Sequence, residues 1–296
     1  MHPLIESLVK SGVVVTDGSW GTQLQKRGIK RGECPDSWNI KHPDWVQDVA
    51  RGYVEAGSQV ILTNTFQSNR LSLGRFDLAD KAVEINTRGV EISKKAAGDR
   101  SHVFASIGPS GKMLLTKETT EEELQDAFEE QANAIAKAGA DGIIVETMID
   151  LVEARIAAAA AKQTGLPVIA SMVFDCGENK DTTLMGNTPE QAVEELTSVG
   201  VDGVGANCGL GIEGYIPICR RLRAATDLAV WIKPNAGLPE VEDEKTIFYT
   251  TAQEFVASVP EMMQAGANFI GACCGSDQEF VREIRRIAPI RGLAKR

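Results

Sequence analysis

Three of the six cysteines in this 296-residue chain, Cys208, Cys273 and Cys274, stand where they can act together. They close the runs GVGANCG and NFIGACCG, each of which begins as a short apolar stretch. Three thiolates arriving from two strands suit Zn2+, which favours sulfur and tetrahedral geometry, and three protein ligands with a fourth position open is the pattern of a catalytic site. Adjacent cysteines on a regular strand point to opposite faces, so both can hold one ion only where the strand has ended or bent. The glycines of GACCGS allow that bend. Two plainer readings stand beside the metal: small buried hydrophobes, as free cysteines often are, and a vicinal disulfide between Cys273 and Cys274. For Cys34, Cys176 and Cys219, in a loop, just after a strand and within a helix, the buried-hydrophobe reading is preferred.

Other apolar runs end in polar residues or glycine at the equivalent place. Asp17 follows the first run, Asn64 the second, Gly108 the third, Glu146 the fourth and Asn235 the seventh. Strand-end acids ordinarily cap the next helix; they also serve as charge partners for a cationic group. Lys233, on the seventh run, is the residue on which a Schiff-base lyase would rest, a reading that leaves the cysteines without a purpose. His2, His42 and His102 fall in the N-terminus, a loop and a strand start, and none is placed for catalysis. Trp20 and Phe66 read either as walls of the site or as packing.

The elements that must position these residues recur along the chain. VVVTDG (13–18), QVILTNTF (59–66), HVFASIGP (102–109), GIIVETM (142–148), PVIASMVF (167–174), GVGANCG (203–209), LAVWIKPNAG (228–237) and NFIGACCG (268–275) read as eight strands, most of them apolar throughout as parallel strands covered on both faces are. EAGSQVI, KAGADGII, SVGVDGV and QAGANFI form a weak repeat with glycine after a helix and a strand next. Between runs lie segments such as TTEEELQDAFEEQANAIAKAG, in which Thr120 and Glu123 predict a capping box. Eight strand–helix pairs predict one (β/α)8 TIM barrel over residues 1–296, with reactive residues at its C-terminal mouth. No G-x-G-x-x-G follows the first strand, which removes the main support for dinucleotide binding.

Composition narrows the function. A formal charge of −10 disfavours a grip on nucleic-acid phosphates. No apolar stretch approaches the ~20 residues needed to span a bilayer, and no secretory signal is apparent, so a cytoplasmic enzyme with reduced thiols is expected.

The chain resembles the homocysteine S-methyltransferase family. The resemblance runs from DGSWGTQLQKRG through NTFQSN and ETMIDLVEA to GANCG, KPNAGLP and GACCG, and the GANC and GACCG pair is its most specific part. It implies zinc on Cys208, Cys273 and Cys274, homocysteine sulfur as the fourth ligand, Asp17 and Glu146 on the substrate ammonium, and backbone amides, near Gly18, on its carboxylate. Asn64 is expected at the substrate, and Asn235 on zinc when substrate is absent. KPNAGLP and ASIGPSG look most like the cobalamin-linked branch. With no D-x-H-x-x-G motif or folate module in the sequence, methylcobalamin on a separate corrinoid protein is the expected donor; S-methylmethionine or betaine is the alternative within the family. Outside it stand the lyase on Lys233 and a non-catalytic homocysteine sensor.

Overall fold

All eight apolar runs form parallel strands of one sheet: β1 (Val14–Val15), β2 (Val60–Ile61), β3 (His102–Ile107), β4 (Gly142–Met148), β5 (Val168–Met172), β6 (Gly203–Gly211), β7 (Ala229–Asn235) and, after a hairpin of β8 (Glu240–Glu242) and β9 (Lys245–Ile247), β10 (Phe269–Ile270). The computed structural model describes residues 1–30, 32–242 and 245–288, so residues 289–296 of the expected unit lie outside it. The order β1-β10-β7-β6-β5-β4-β3-β2 leaves β1 and β2 at the two ends of the sheet. Gln59 stitches that seam: its N–H donates to Val15 O at 2.7 Å, and its side-chain Oε1 accepts Val15 N–H at 3.0 Å. With helices between the strands, this is a nearly closed (β/α)8 barrel. No helix among the described residues is long and apolar enough to cross a membrane.

The local signals act as expected. Gly57, Gly139, Gly200 and Gly266 take φ of 103°, 88°, 80° and 103°, the left-handed turn that ends a helix and feeds the next strand. Thr120 and Glu123 form the reciprocal cap of helix Glu121–Lys137.

Side chains two apart on a strand share the barrel interior. Val14, Val60, Phe104, Ile144, Ile169, Ala229, Trp231 and Phe269 fill one end of it together with Ile5 and Leu8 of helix Pro3–Lys10. The Trp231 ring lies 6.5 Å from Phe104 and 5.3 Å from Phe269, centroid to centroid. Such rings need small neighbours: a Cβ at Gly142 would stand 2.9 Å from the Phe104 ring. One step further along the same alternation the interior turns polar, with Ser106, Glu146, Ser171, Asn207 and Lys233, all buried. An apolar plug thus supports a polar layer at the C-terminal mouth.

Three ladders are shorter than the runs 13–18, 59–66 and 268–275 suggest, because polar groups replace strand pairing beyond them. Asp17 O accepts Ala272 N–H at 3.1 Å and Asp17 Oδ2 accepts Leu62 N–H at 2.8 Å. Asp17, Asn64, Cys273 and Cys274 therefore stand on loops. The hairpin of β8 and β9, in the loop after β7, has no counterpart in the eight-strand reading.

Candidate functional site

Because β10 ends at Ile270, Cys273 and Cys274 are released from strand alternation. Cys273 N–H donates to Pro234 O at 2.6 Å, while Ser276 Oγ donates to Cys273 O at 2.7 Å. Cys208 arrives by a different device. Register slips between Cys208 and Gly211, and Cys208 takes φ 64°, a left-handed conformation that costs a non-glycine residue ~1–2 kcal/mol.

The three Sγ atoms lie within 4.8 Å of one another, with Cys208 and Cys274 3.8 Å apart. In a tetrahedron with zinc–sulfur bonds of about 2.3 Å, sulfurs stand about 3.8 Å apart. Among the described residues this is the one group of three or more His, Cys, Asp or Glu close enough to hold an ion. Their protons tell the same story. S–H donation from Cys273 and Cys274 draws the Cys208 thiol down to about 3; donating to Cys208 pushes Cys273 up to about 12 and Cys274 higher. The cluster gives up one proton readily and resists losing more, and a divalent cation is what relieves that repulsion. All six cysteines are free, so the vicinal disulfide is absent. Cys34 and Cys219 are buried as expected; Cys176 is half-buried and pairs with Thr182 across an isolated bridge.

Asn235 ties the two cysteine segments. Its Oδ1 accepts Cys274 N–H at 3.1 Å and its Nδ2 donates to Gly209 O at 3.1 Å. The amide oxygen expected on the metal is thus engaged with backbone, and Asn235 braces the two cysteine segments.

Below the sulfurs lie three buried charges. Lys233 Nζ donates to Asp17 Oδ1 at 2.5 Å, and Asp17 Oδ2 accepts Trp20 Nε1–H at 2.8 Å as well as Leu62 N–H. Burial alone would depress the Lys233 ammonium, but Asp17 and Glu146 outweigh it and hold it above the ordinary lysine value. A Schiff-base amine must shed that proton, which the ion pair with Asp17 opposes. Glu146 accepts Ser106 Oγ–H at 2.5 Å through Oε1. Burial pushes Glu146 up to about 7, against the pull of Lys233.

The remaining expected residues divide. Gly18 is tightly packed: a Cβ there would stand 2.9 Å from both the Tyr53 ring and Ser276 Oγ. Gly108 is overlain by the Phe66 ring, with which a Cβ would collide. Asn64, expected at the substrate, donates its Nδ2 to Pro35 O at 2.9 Å and Asn39 Oδ1 at 3.0 Å, tying the end of β2 to residues 35–39.

The family model for homocysteine S-methyltransferases matches residues 14–288. The chain belongs to the homocysteine S-methyltransferase family. Methionine synthase of Mycobacterium leprae is 30% identical over 95% of the chain, and that of Mycobacterium tuberculosis 29% over 92%. The chain spans 24% of the length of each. The metallated form of the homocysteine methyltransferase MmuM from Escherichia coli superimposes with a TM-score of 0.81 at 21% identity, covering 97% of this chain and 100% of that one, which shows the shared fold.

For a member of this family the sequence reading left out Ser106, Asn207 and the charge role of Lys233. Each sits two positions beyond an interior apolar residue (Phe104, Gly205, Trp231), and strand periodicity is the signal that finds them.

Proposed function

We propose that this barrel transfers a methyl group to the thiol of homocysteine to give methionine, using zinc held by Cys208, Cys273 and Cys274 and a corrinoid carrier as donor. The observation that carries the proposal is that a three-sulfur cluster and a buried Asp17–Lys233–Glu146 group open on one barrel mouth. Zinc held there would supply the positive charge that stabilises the nucleophilic thiolate of an ordinary thiol of pKa about 8.5, its proton being released to solvent.

The chain's own residues do the rest. With both acids ionised, Lys233 cancels one of them, and the group keeps one surplus negative charge, the complement of a single ammonium. Glu146 is the acid with an oxygen to offer: Oε1 is held by Ser106, while Oε2 takes no hydrogen bond from the described residues. An arriving ammonium favours the charged carboxylate over the neutral form that burial promotes. Asp17, with both oxygens engaged, holds Lys233 and closes the seam, and reaches substrate only as Lys233 or Trp20 yields. Backbone amides near Gly18 are the proposed partners of the amino-acid carboxylate; glycine is needed at 18 because Tyr53 and Ser276 fill the space a side chain would take. Glu146→Gln is expected to weaken homocysteine binding by about 1.5–3 kcal/mol, the value of a charge-assisted bond, while zinc content stays unchanged; calorimetry with L-homocysteine reads it, and an unchanged affinity would make Glu146 structural.

A carrier in trans is supported by the rim. Met113, Leu115, Leu184, Met185, Leu238 and Val241 are large apolar side chains left exposed on the loops after β3, β5 and β7, around the mouth. A methyl group on cobalamin is too bulky to enter the barrel, so its carrier docks across this face. The test is methionine formation by zinc-loaded protein with equal concentrations of methylcobalamin, S-methylmethionine and betaine. Turnover with methylcobalamin and little with the others is expected. Turnover with S-methylmethionine or betaine and none with methylcobalamin would overturn the donor assignment; homocysteine binding without turnover from any donor, a methylated corrinoid protein included, would identify a sensor.

A further inference from the structure

Two left-handed residues flank the site from different strands, and one side chain joins them. Thr147, next to Glu146 on β4, has φ 61°, and Cys208 on β6 has φ 64°. Each marks a slip in register, between Val145 and Met148 on β4 and between Cys208 and Gly211 on β6. Positive φ is strongly disfavoured for a β-branched residue, because Cβ crowds the backbone, and it persists only where the surroundings over-determine it.

What holds Thr147 there is Asn207, the residue before Cys208. Its Oδ1 accepts Thr147 N–H at 2.9 Å and its Nδ2 donates to Thr147 Oγ1 at 2.7 Å, a two-point clamp on one residue. Ser171 Oγ on β5 donates to the same Oδ1 at 2.6 Å, which fixes how the amide faces, and Tyr215 O–H donates to the Asn207 carbonyl at 3.1 Å. Asn207 is 0% exposed and Thr147 is half-buried, so the amide end of the clamp is shielded from solvent.

We infer that Asn207 is a positioning residue that locks the Glu146 turn of β4 to the Cys208 turn of β6, and so sets the distance between the ammonium site and the sulfur cluster. The inference rests on the roles proposed above for Glu146 and Cys208. A ligand that engages one site through its amino group and the other through its sulfur gains full affinity only when their separation is held to within about 0.5 Å. An Asn that merely filled the core would affect stability without that specific coupling.

The test compares zinc-loaded wild type, Asn207→Ala and the double variant Asn207→Ala/Thr147→Gly by calorimetry with L-homocysteine, by melting temperature and by zinc retention against a chelator. Asn207→Ala should raise the homocysteine Kd about tenfold or more, the scale of one released backbone strain. Glycine accepts φ near +60° without penalty, so the double variant should recover to within about threefold of wild type. Zinc retention, which depends on the Cys208 end, should stay impaired in both. An unchanged Kd in Asn207→Ala, or an equal loss in the double variant, overturns the inference. Should Asn207→Ala fail to fold, Thr147→Val removes the hydroxyl end of the clamp alone; a raised Kd at wild-type melting temperature supports the coupling, and an unchanged one overturns it. Zinc retained in Cys208→Ser, or homocysteine affinity unchanged in Glu146→Gln, would remove the underlying reading whatever Asn207 does.

Discussion

Cys208→Ser, Cys273→Ser and Cys274→Ser should each take the purified protein from about one zinc per chain to a small fraction of that, with methyl transfer falling on the order of a thousandfold or more. The reason is geometric as well as chemical. Three sulfurs within 4.8 Å leave no fourth protein donor to compensate, since among the described residues no other His, Cys, Asp or Glu joins the cluster. A metal that polarises a thiol contributes several kcal/mol to its reaction, and that contribution goes with the ion. Folding should survive, because serine is smaller than cysteine and the loops are held by backbone bonds from Cys273 to Pro234 and from Ala236 to Cys274. Metal analysis of the three variants checks this, and full occupancy in all of them would remove the site.

Lys233→Met should be the most destabilising change in the polar layer. Lys233 is 3% exposed and Asp17 is 0% exposed, and the ammonium is the cation that balances Asp17 and pulls on Glu146. Removing one partner of a buried pair leaves an uncompensated charge and typically costs about 3–5 kcal/mol. The loss should depend on pH in a defined direction. Glu146, held by burial at about 7 with lysine present, rises further without it. A carboxyl raised in the folded state contributes stability below its unfolded value, near 4.5, that is lost as pH climbs through the folded value. Lys233→Met should therefore be closest to wild type near pH 5 and fall away towards pH 8. Adding Asp17→Asn should restore part of the melting temperature, because it removes the carboxylate left without its cation. Melting curves across that range decide it; equal stability of Lys233→Met and wild type at pH 8 would mean that the carboxylates do not rely on the lysine.

The strands were legible because a parallel barrel strand is apolar on both faces and four of them follow a repeat glycine such as Gly139 or Gly266, which are local properties. Where a strand stops was not, because that depends on partners far along the chain: β1 ends where Asp17 turns to take Leu62 N–H and Lys233. Asn64 shows the limit most clearly. Its place at a strand end is local, but the direction of its amide is set by Pro35 and Asn39. Lys233 was visible as an inward strand residue, yet its partner lies 216 positions away, and without that partner it read as a free amine. The cysteine trio fared best, because two independent strand ends had to carry the same residue type. The strand pair Glu240–Glu242 and Lys245–Ile247 went unread because its mixed charged and apolar residues lack the continuous apolar run used to find the barrel strands.

In the proposed function, homocysteine sulfur joins three cysteine sulfurs on one zinc ion. X-ray absorption at the zinc edge of the loaded protein counts those sulfurs directly. Before L-homocysteine is added, the spectrum should fit three sulfurs at about 2.3 Å with one lighter atom; afterwards it should fit four sulfurs. A sulfur count that starts below three, or that stays at three when homocysteine saturates the protein, would contradict the account.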